Sequence, residues 1–278
     1  MNKNQIAVVL PVYKDEITPF EEIALQQCFA TLDEYPIIFI SPKKMKNGVF
    51  HKKYCNNFQF IFMESKYFAS IESYNVMMLS DWFYEYFLLY DYILIYQLDC
   101  FVFRDELKIW ADKGYSFIGA PWILGELSLD NVNEISNVGN GGFSLRNIKD
   151  CIFILNSSKK VFSFNEYVSK LKSTNKSFVL LRSIKHFILR PEKIYYSFKT
   201  IRNYPKINED EIFAIAGRRF DFFNVPDAHI AISFAFEKEP KKAFQLNNNQ
   251  LPFGCHAWNK YGINFYRPIF KKFGFEIE

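Results

Sequence analysis

The sequence predicts an α/β protein: a layered, mostly parallel sheet flanked by helices. Two observations carry that class. Strand and helix signals alternate through the first half of the chain, the pattern that builds such a sheet. The strands themselves are continuous apolar runs, as expected of parallel strands covered on both faces. The 278 residues are 49% hydrophobic and 19% aromatic. That is enough for one domain with a sizeable core and too apolar for a disordered chain.

The elements follow in order. Ile6 to Tyr13 (IAVVLPVY) is a first strand, ended by Lys14 and Asp15. Thr18-Pro19 reads as a helix N-cap and first helical position, with Glu21 and Glu22 in the first turn where the helix dipole favours acids. That helix should run to about Glu34. Pro36 restarts the chain as a second strand (PIIFIS), and Phe58 to Met63 gives a third. Ser70 to Leu89 suits one long helix. Tyr92 to Asp99 (YILIYQLD) is a fourth strand that ends on a carboxylate. In open α/β sheets ligands bind at the carboxyl ends of strands, which is where Asp99 would sit.

The second half is less regular. Ser116 to Trp122 reads as a short strand and turn. Asn137 to Asn147 (NVGNGGFSLRN) is a glycine-rich loop entering a strand, and NEDEIFAIAG is an acidic helix start. The formal net charge is +4, but unevenly placed. Residues 156–206 hold 12 Lys/Arg against 2 Asp/Glu, a net of +10, while the rest has 22 against 28, a net of −6. The chain therefore reads as a single domain, 1–278, with a basic helical insertion at 156–206. The five cysteines are scattered and form no CxxC pair, so reduced thiols in a cytoplasmic protein are expected. The apolar run Ile6–Leu10 is too short for a signal sequence, and no window is long enough for a spanning helix.

Four groups of residues could carry chemistry. Asp99 can cap a turn, or can bind a divalent cation beside a diphosphate, since hard cations take carboxylate and phosphate oxygens together. Gly139-Asn140-Gly141-Gly142 can be a tight turn, or a place where backbone approaches a ligand closely. It is neither GxGxxG nor a P-loop. Glu209-Asp210-Glu211 can simply answer the helix dipole, or supply a general base. His256, in GCHAW, can be a structural aromatic-pocket histidine, or can complete a metal site if it returns to Asp99.

Taken in order, SYNVMMLSDWFYEYF, YQLDCFVF, YSFIGAPW, VGNGGFSLRN, NEDEIFA, AHIAISFAFE and GCHAW resemble a bacterial glycosyltransferase-like family long catalogued only as a domain of unknown function. The resemblance covers roughly Ile6 to Trp258 without the basic insertion, and IGAPW…VGNGGFSLR is its most specific part. The family looks like the GT-A class of nucleotide-sugar transferases, which have a Rossmann-like sheet and usually need Mn²⁺ or Mg²⁺. The resemblance implies that Pro11, Val12 and Tyr13 hold the nucleobase and ribose, and that Ser73 and Asn75 lie near the nucleotide. It implies Asp99 and His256 as metal ligands, Gly141 and Gly142 as lining for donor sugar and acceptor, and Asp210 as the base. Many GT-A enzymes carry Asp-x-Asp. Here Gln97 and Phe101 flank Asp99, which stands alone.

The implied activity is transfer of a sugar from a nucleotide-sugar donor, UDP by class habit, to a hydroxyl of a glycan or lipid-linked acceptor in surface polysaccharide synthesis. The cation would neutralise the leaving diphosphate, with Arg146 as an added donor. A base opposite the leaving group implies inversion. Phe178 to Lys193 places Leu180, Leu181, Ile184, Phe187 and Ile188 at helical spacing, with Arg182, Lys185 and Arg190 largely elsewhere. Such a helix could rest on an anionic membrane at its inner face. The alternative function is a non-catalytic protein that uses this helix to bind a membrane or an acidic polymer. Basic residues interleaved with Phe178, Phe187, Tyr195, Tyr196 and Phe198 could stack bases, but no nucleic-acid motif accompanies them.

Overall fold

The computed structural model describes residues 5–123, 135–161, 196–203 and 208–277. Its strands are β1 (Ile6–Pro11), β2 (Ile37–Pro42), β3 (Gln59–Met63), β4 (Tyr92–Tyr96), β5 (Phe101–Val102), β6 (Phe117–Ile118), β7 (Pro121–Ile123), β8 (Ile135–Val138), β9 (Phe143–Asn147), β10 (Ala235–Phe236) and β11 (Gly254–Cys255). The helices that matter below are α1 (Pro19–Thr31), α2 (Val49–Tyr54), α3 (Ile71–Met78), α4 (Asp81–Glu85), α5 (Leu107–Asp112), α6 (Ile148–Leu155) and α7 (Glu209–Arg219).

The apolar runs do form the centre of a sheet. Its order is β3-β2-β1-β4-β9-β6. The first four strands run parallel, and β9 runs antiparallel to both β4 and β6. All residues of β1, β2 and β4 are buried, which is why their sequences show no alternation. Strand order reverses between β1 and β4. The crevice at such a switch point, outside the carboxyl ends, is where this architecture places ligands. Tyr13 leaves β1 at that edge, and Asp99 leaves β4 there.

The first helix begins as its sequence requires. Thr18 caps α1 in a full capping box with Glu21, and Pro19 takes the first turn, although the helix ends at Thr31. The stretch read as one long helix is two. Ser70 and Ser73 form a capping box at the start of α3. The Ser80 hydroxyl then donates to the Val76 carbonyl at 2.7 Å, Ser80 itself is extended (φ −112°, ψ 130°), and α4 restarts at Asp81. Back-bonding of this kind competes with the helix ladder.

A three-stranded sheet, β10-β11-β5, sits beside the main one. Each of its strands is two residues long. Phe101 and Phe270 stack at 3.8 Å between ring centroids, and Trp258, Tyr266 and Cys255 are buried with them. This second core anchors the C-terminal segment against the end of β4. Around the basic segment, Val161 N–H donates to the Tyr196 carbonyl at 3.0 Å and Phe198 N–H to the Lys159 carbonyl at 3.1 Å. The chain thus leaves and returns at one place. Residues 178–193, read above as a basic amphipathic helix, lie outside the described residues. Among the described residues no helix is long and apolar enough to cross a membrane, and the five cysteines are free, all but Cys55 buried.

Candidate active site

The end of β4 meets the end of β11 because β5 pairs antiparallel with β11, Phe101 opposite Cys255. Asp99 precedes β5 and His256 follows β11, so this two-residue ladder brings them together. His256 Nε2 lies 3.2 Å from Asp99 Oδ1 and 3.3 Å from Gln97 Oε1. The other ring nitrogen, Nδ1, lies 3.5 Å from Glu237 Oε1. Burial works to raise the Asp99 carboxyl, but the adjacent His256 outweighs it and holds the pKa below its usual value. Burial likewise works against charge on His256. Asp99 first, then Glu237, overcome it and lift the imidazole to about 10.

These groups fit a divalent cation. Asp99 Oδ1 is a buried oxygen with no aligned hydrogen-bond donor. A carboxylate oxygen, an amide oxygen and an imidazole nitrogen turned toward one another form a donor set suited to Mn²⁺ or Mg²⁺. Cys100 Sγ lies within 4.8 Å of the Asp99 and His256 ligand atoms. Its thiol is spent on the Gly142 carbonyl at 3.2 Å, and burial pushes its pKa well up, so it stays protonated. Gln97 was not among the residues expected here. Its signal was present in the sequence, since Gln97-Leu98-Asp99 puts an oxygen donor two residues before Asp99.

The glycine loop crosses this site. Gln97 N–H donates to the Gly142 carbonyl at 2.9 Å. A Cβ on Gly142 would lie 2.2 Å from His256 Nε2, and one on Gly141 would lie 1.7 Å from Glu209 Oε1. Only glycine leaves room at these two positions. Asn140 holds a left-handed φ of 68°, a conformation that Asn adopts more readily than other non-glycine residues. Its N–H donates to Asp210 Oδ2 at 2.7 Å.

Asp210 stands in the first turn of α7, with its other oxygen accepting from Glu211 N–H at 2.8 Å. Burial, followed by the charge of Glu209, raises its pKa to about 7. That is the range in which a carboxylate can act as base near neutral pH. Glu209 is itself buried and paired with Arg146 at 3.0 Å. Arg146 is fully buried. It donates to Tyr84 Oη, Ser144 Oγ and the Gly141 carbonyl at 3.0, 3.0 and 3.2 Å, and stacks over Phe213 and Phe117. Burial opposes its charge, while Tyr84 and Glu209 raise its pKa further. Arg146 was read above as a direct donor to the leaving group. Here its donors face inward, because β9 buries all but its last residue, and it braces the glycine loop from beneath.

The structure thus brings Asp99, His256, Gly141, Gly142 and Asp210 to one place. Asn75 on α3 approaches from the side, donating to Asn208, the residue before α7, at 3.4 Å. Ser73 is turned into its own helix cap. Pro11 and Val12 are buried, and Tyr13 is 56% exposed beyond β1.

A family model described as "Protein of unknown function (DUF5672)" matches residues 57–256. The chain belongs to this family. The DUF5672 segment ends on His256 and contains Asp99, the glycine loop and Asp210, but not Pro11, Val12 or Tyr13. None of the curated proteins matches the chain. Similar solved structures include a galactosyltransferase, LgtC, in complex with donor and acceptor sugar analogs, at 14% identity and TM-score 0.49, over 96% of this chain and 94% of that one. Mouse xyloside xylosyltransferase 1 matches at 8% identity and TM-score 0.46, over 91% and 97%. The glycosyltransferase GlyE of Streptococcus pneumoniae matches at 11% and 0.43, and this chain, 98% of it aligned, spans 61% of that one.

Proposed function

We propose that this DUF5672 protein is a glycosyltransferase of GT-A type, moving a sugar from a nucleotide-sugar donor, with UDP the first nucleotide to try, to a hydroxyl of a glycan or lipid-linked acceptor in surface polysaccharide synthesis. One observation carries the reading. At the carboxyl edge of the sheet, Gly141 and Gly142 lie between a cation-binding set (Asp99, His256, Gln97) and a half-buried carboxylate tuned near neutrality (Asp210). Transfer from a nucleotide diphosphate needs both: a place for charge to collect on the leaving group, and a proton acceptor for the attacking hydroxyl.

Bound between Asp99 and His256, Mn²⁺ or Mg²⁺ would supply charge stabilisation for the diphosphate. Pro11, Val12 and Tyr13, with Ser73 and Asn75 nearby, border the nucleotide at the switch point. Gly141 and Gly142 let the loop backbone lie against Glu209 and His256, and that backbone lines the space for donor sugar and acceptor. Asp210 takes the acceptor hydroxyl proton as the oxygen bonds to the anomeric carbon. The bond from that carbon to the diphosphate oxygen breaks, and its electron pair leaves with the nucleotide. A base facing the leaving group across the sugar gives inversion. Arg146 and Glu209 do not touch the reacting atoms. They hold the loop and the start of α7 where Asp210 needs them.

The test is release of nucleoside diphosphate from a panel of nucleotide sugars, with Mn²⁺, Mg²⁺ or EDTA. The expected outcome is release from one donor that stops with EDTA and falls to background in Asp99→Ala. Folded wild-type protein that binds and turns over no nucleotide sugar under any of these conditions contradicts the reading.

A further inference from the structure

Glu237 faces the edge of His256 that the cation set does not use. It stands there for a topological reason. β10 pairs parallel with β11, Phe236 opposite Cys255, and His256 N–H donates to the Phe236 carbonyl at 2.9 Å. The next residue on each strand is therefore Glu237 beside His256. Both side chains are largely buried, 17% and 13% exposed. Among the described ion pairs the only partner of Glu237 is His256. The nearby lysines are turned elsewhere, with Lys238 and Lys260 both lying over the Tyr261 ring.

Nδ1 has no aligned hydrogen-bond partner in this structure, and Glu237 Oε1, at 3.5 Å, is the carboxylate beside it. We infer that Glu237 is the positioning residue of the cation site: when Nε2 gives up its proton to a cation, Glu237 accepts the remaining Nδ1–H and keeps the Nε2 lone pair toward Asp99 and Gln97. The inference rests on the cation site proposed above. Glu237 cannot itself be a ligand to an ion bound at Nε2. Nε2 is the ring nitrogen beside Asp99 and Gln97, and Glu237 lies beside the other nitrogen, Nδ1. A ligating imidazole keeps one N–H, and a carboxylate that accepts it fixes both tautomer and ring orientation. The need is acute at this position. Nε2 faces two oxygen acceptors, Asp99 Oδ1 and Gln97 Oε1. Without a carboxylate at Nδ1, those two acceptors would favour keeping a proton on Nε2, where it competes with the cation. The residue following His256 adds a constraint of its own: Ala257 is left-handed (φ 50°), so the backbone already fixes where the ring starts.

The experiment is Mn²⁺ titration followed by EPR of the free ion, on wild type, Glu237→Gln, Glu237→Leu and Asp99→Ala, with the unfolding temperature of each recorded without metal. Loss of such an outer carboxylate should weaken Mn²⁺ binding about 10- to 100-fold. The expected result is that loss in Glu237→Leu, with Glu237→Gln in between, because its amide oxygen can still accept the Nδ1–H. An affinity in folded Glu237→Leu within twofold of a wild type that does bind Mn²⁺ overturns the inference and leaves the cation site standing. A wild type that binds no Mn²⁺, equal to Asp99→Ala, overturns the cation site and the inference together. The two failures are thus distinguishable.

Discussion

Asp99 and Asp210 stand at opposite ends of one glycine loop, are both partly or wholly shielded from water, and titrate in opposite directions. Asp99 is held below its usual pKa because an imidazole that carries charge lies beside it. Asp210 is raised to about 7 because it is partly buried next to another carboxylate, Glu209. The residue type is the same; the neighbour assigns the role. A carboxylate with a depressed pKa is a standing negative charge, fit to hold a cation. One lifted toward neutrality can accept a proton and release it again. On the proposed reading, the two jobs are separated by the width of the loop that holds Gly141 and Gly142.

The comparison breaks most visibly at the base. Asp210→Asn keeps the size and one acceptor oxygen but removes the proton acceptor. It should lower the rate of transfer about 10²- to 10⁴-fold, while leaving nucleotide affinity at its wild-type value. Steady-state kinetics with the donor found by the panel, beside calorimetric titration of the nucleotide, would check both halves.

Next in size is the brace under the loop. Arg146→Met leaves Glu209 buried and unpaired, which should cost about 3–5 kcal/mol of stability. In Arg146→Met combined with Glu209→Leu, no charge is stranded, and most of that loss should return. Denaturant unfolding of the three variants measures this. If the single variant unfolds like wild type, Arg146 does not brace the loop. Gly141→Ala should follow with a smaller loss of about 1–3 kcal/mol, the usual range for overpacking. Its Cβ would meet Glu209 Oε1 at 1.7 Å.

The smallest effects are shifts with pH. If Asp210 must be ionised to act, kcat/KM rises about tenfold per pH unit up to its pKa of about 7 and then levels. Stability runs the other way. Unfolded, this carboxyl loses its proton near pH 4. Folded, it keeps the proton to about 7. Across that window the native state binds more protons, so its stability falls as pH rises, and Asp210→Asn should flatten that slope. Glu209→Gln removes the charge that helps lift Asp210, so the acid limb of its rate profile should move to lower pH. A limb that stays put would mean that Glu209 does not tune the base.

Much of the frame was legible in the sequence. The unbroken apolar runs of β1, β2 and β4 named a parallel sheet. Thr18-Pro19 with Glu21 marked the start of α1, and Asp99 at the end of YILIYQLD marked the carboxyl edge of the sheet. The rest depended on contacts that leave no local trace. Ser80 interrupts the 70–89 helix by one hydroxyl bond to Val76. Strands β5, β10 and β11 are two residues each, too short for any periodicity, yet they decide that His256 meets Asp99 and that Glu237 meets His256. Arg146 read as a donor to the leaving group because charge is visible in a sequence and burial is not.

The division of labour between the two aspartates is tested most directly by calorimetric titration of UDP, with and without Mn²⁺, into wild type, Asp99→Ala and Asp210→Ala. The expected result is Mn²⁺-dependent binding that vanishes in Asp99→Ala and survives unchanged in Asp210→Ala. Equal loss in both folded variants, or equal retention, would contradict it.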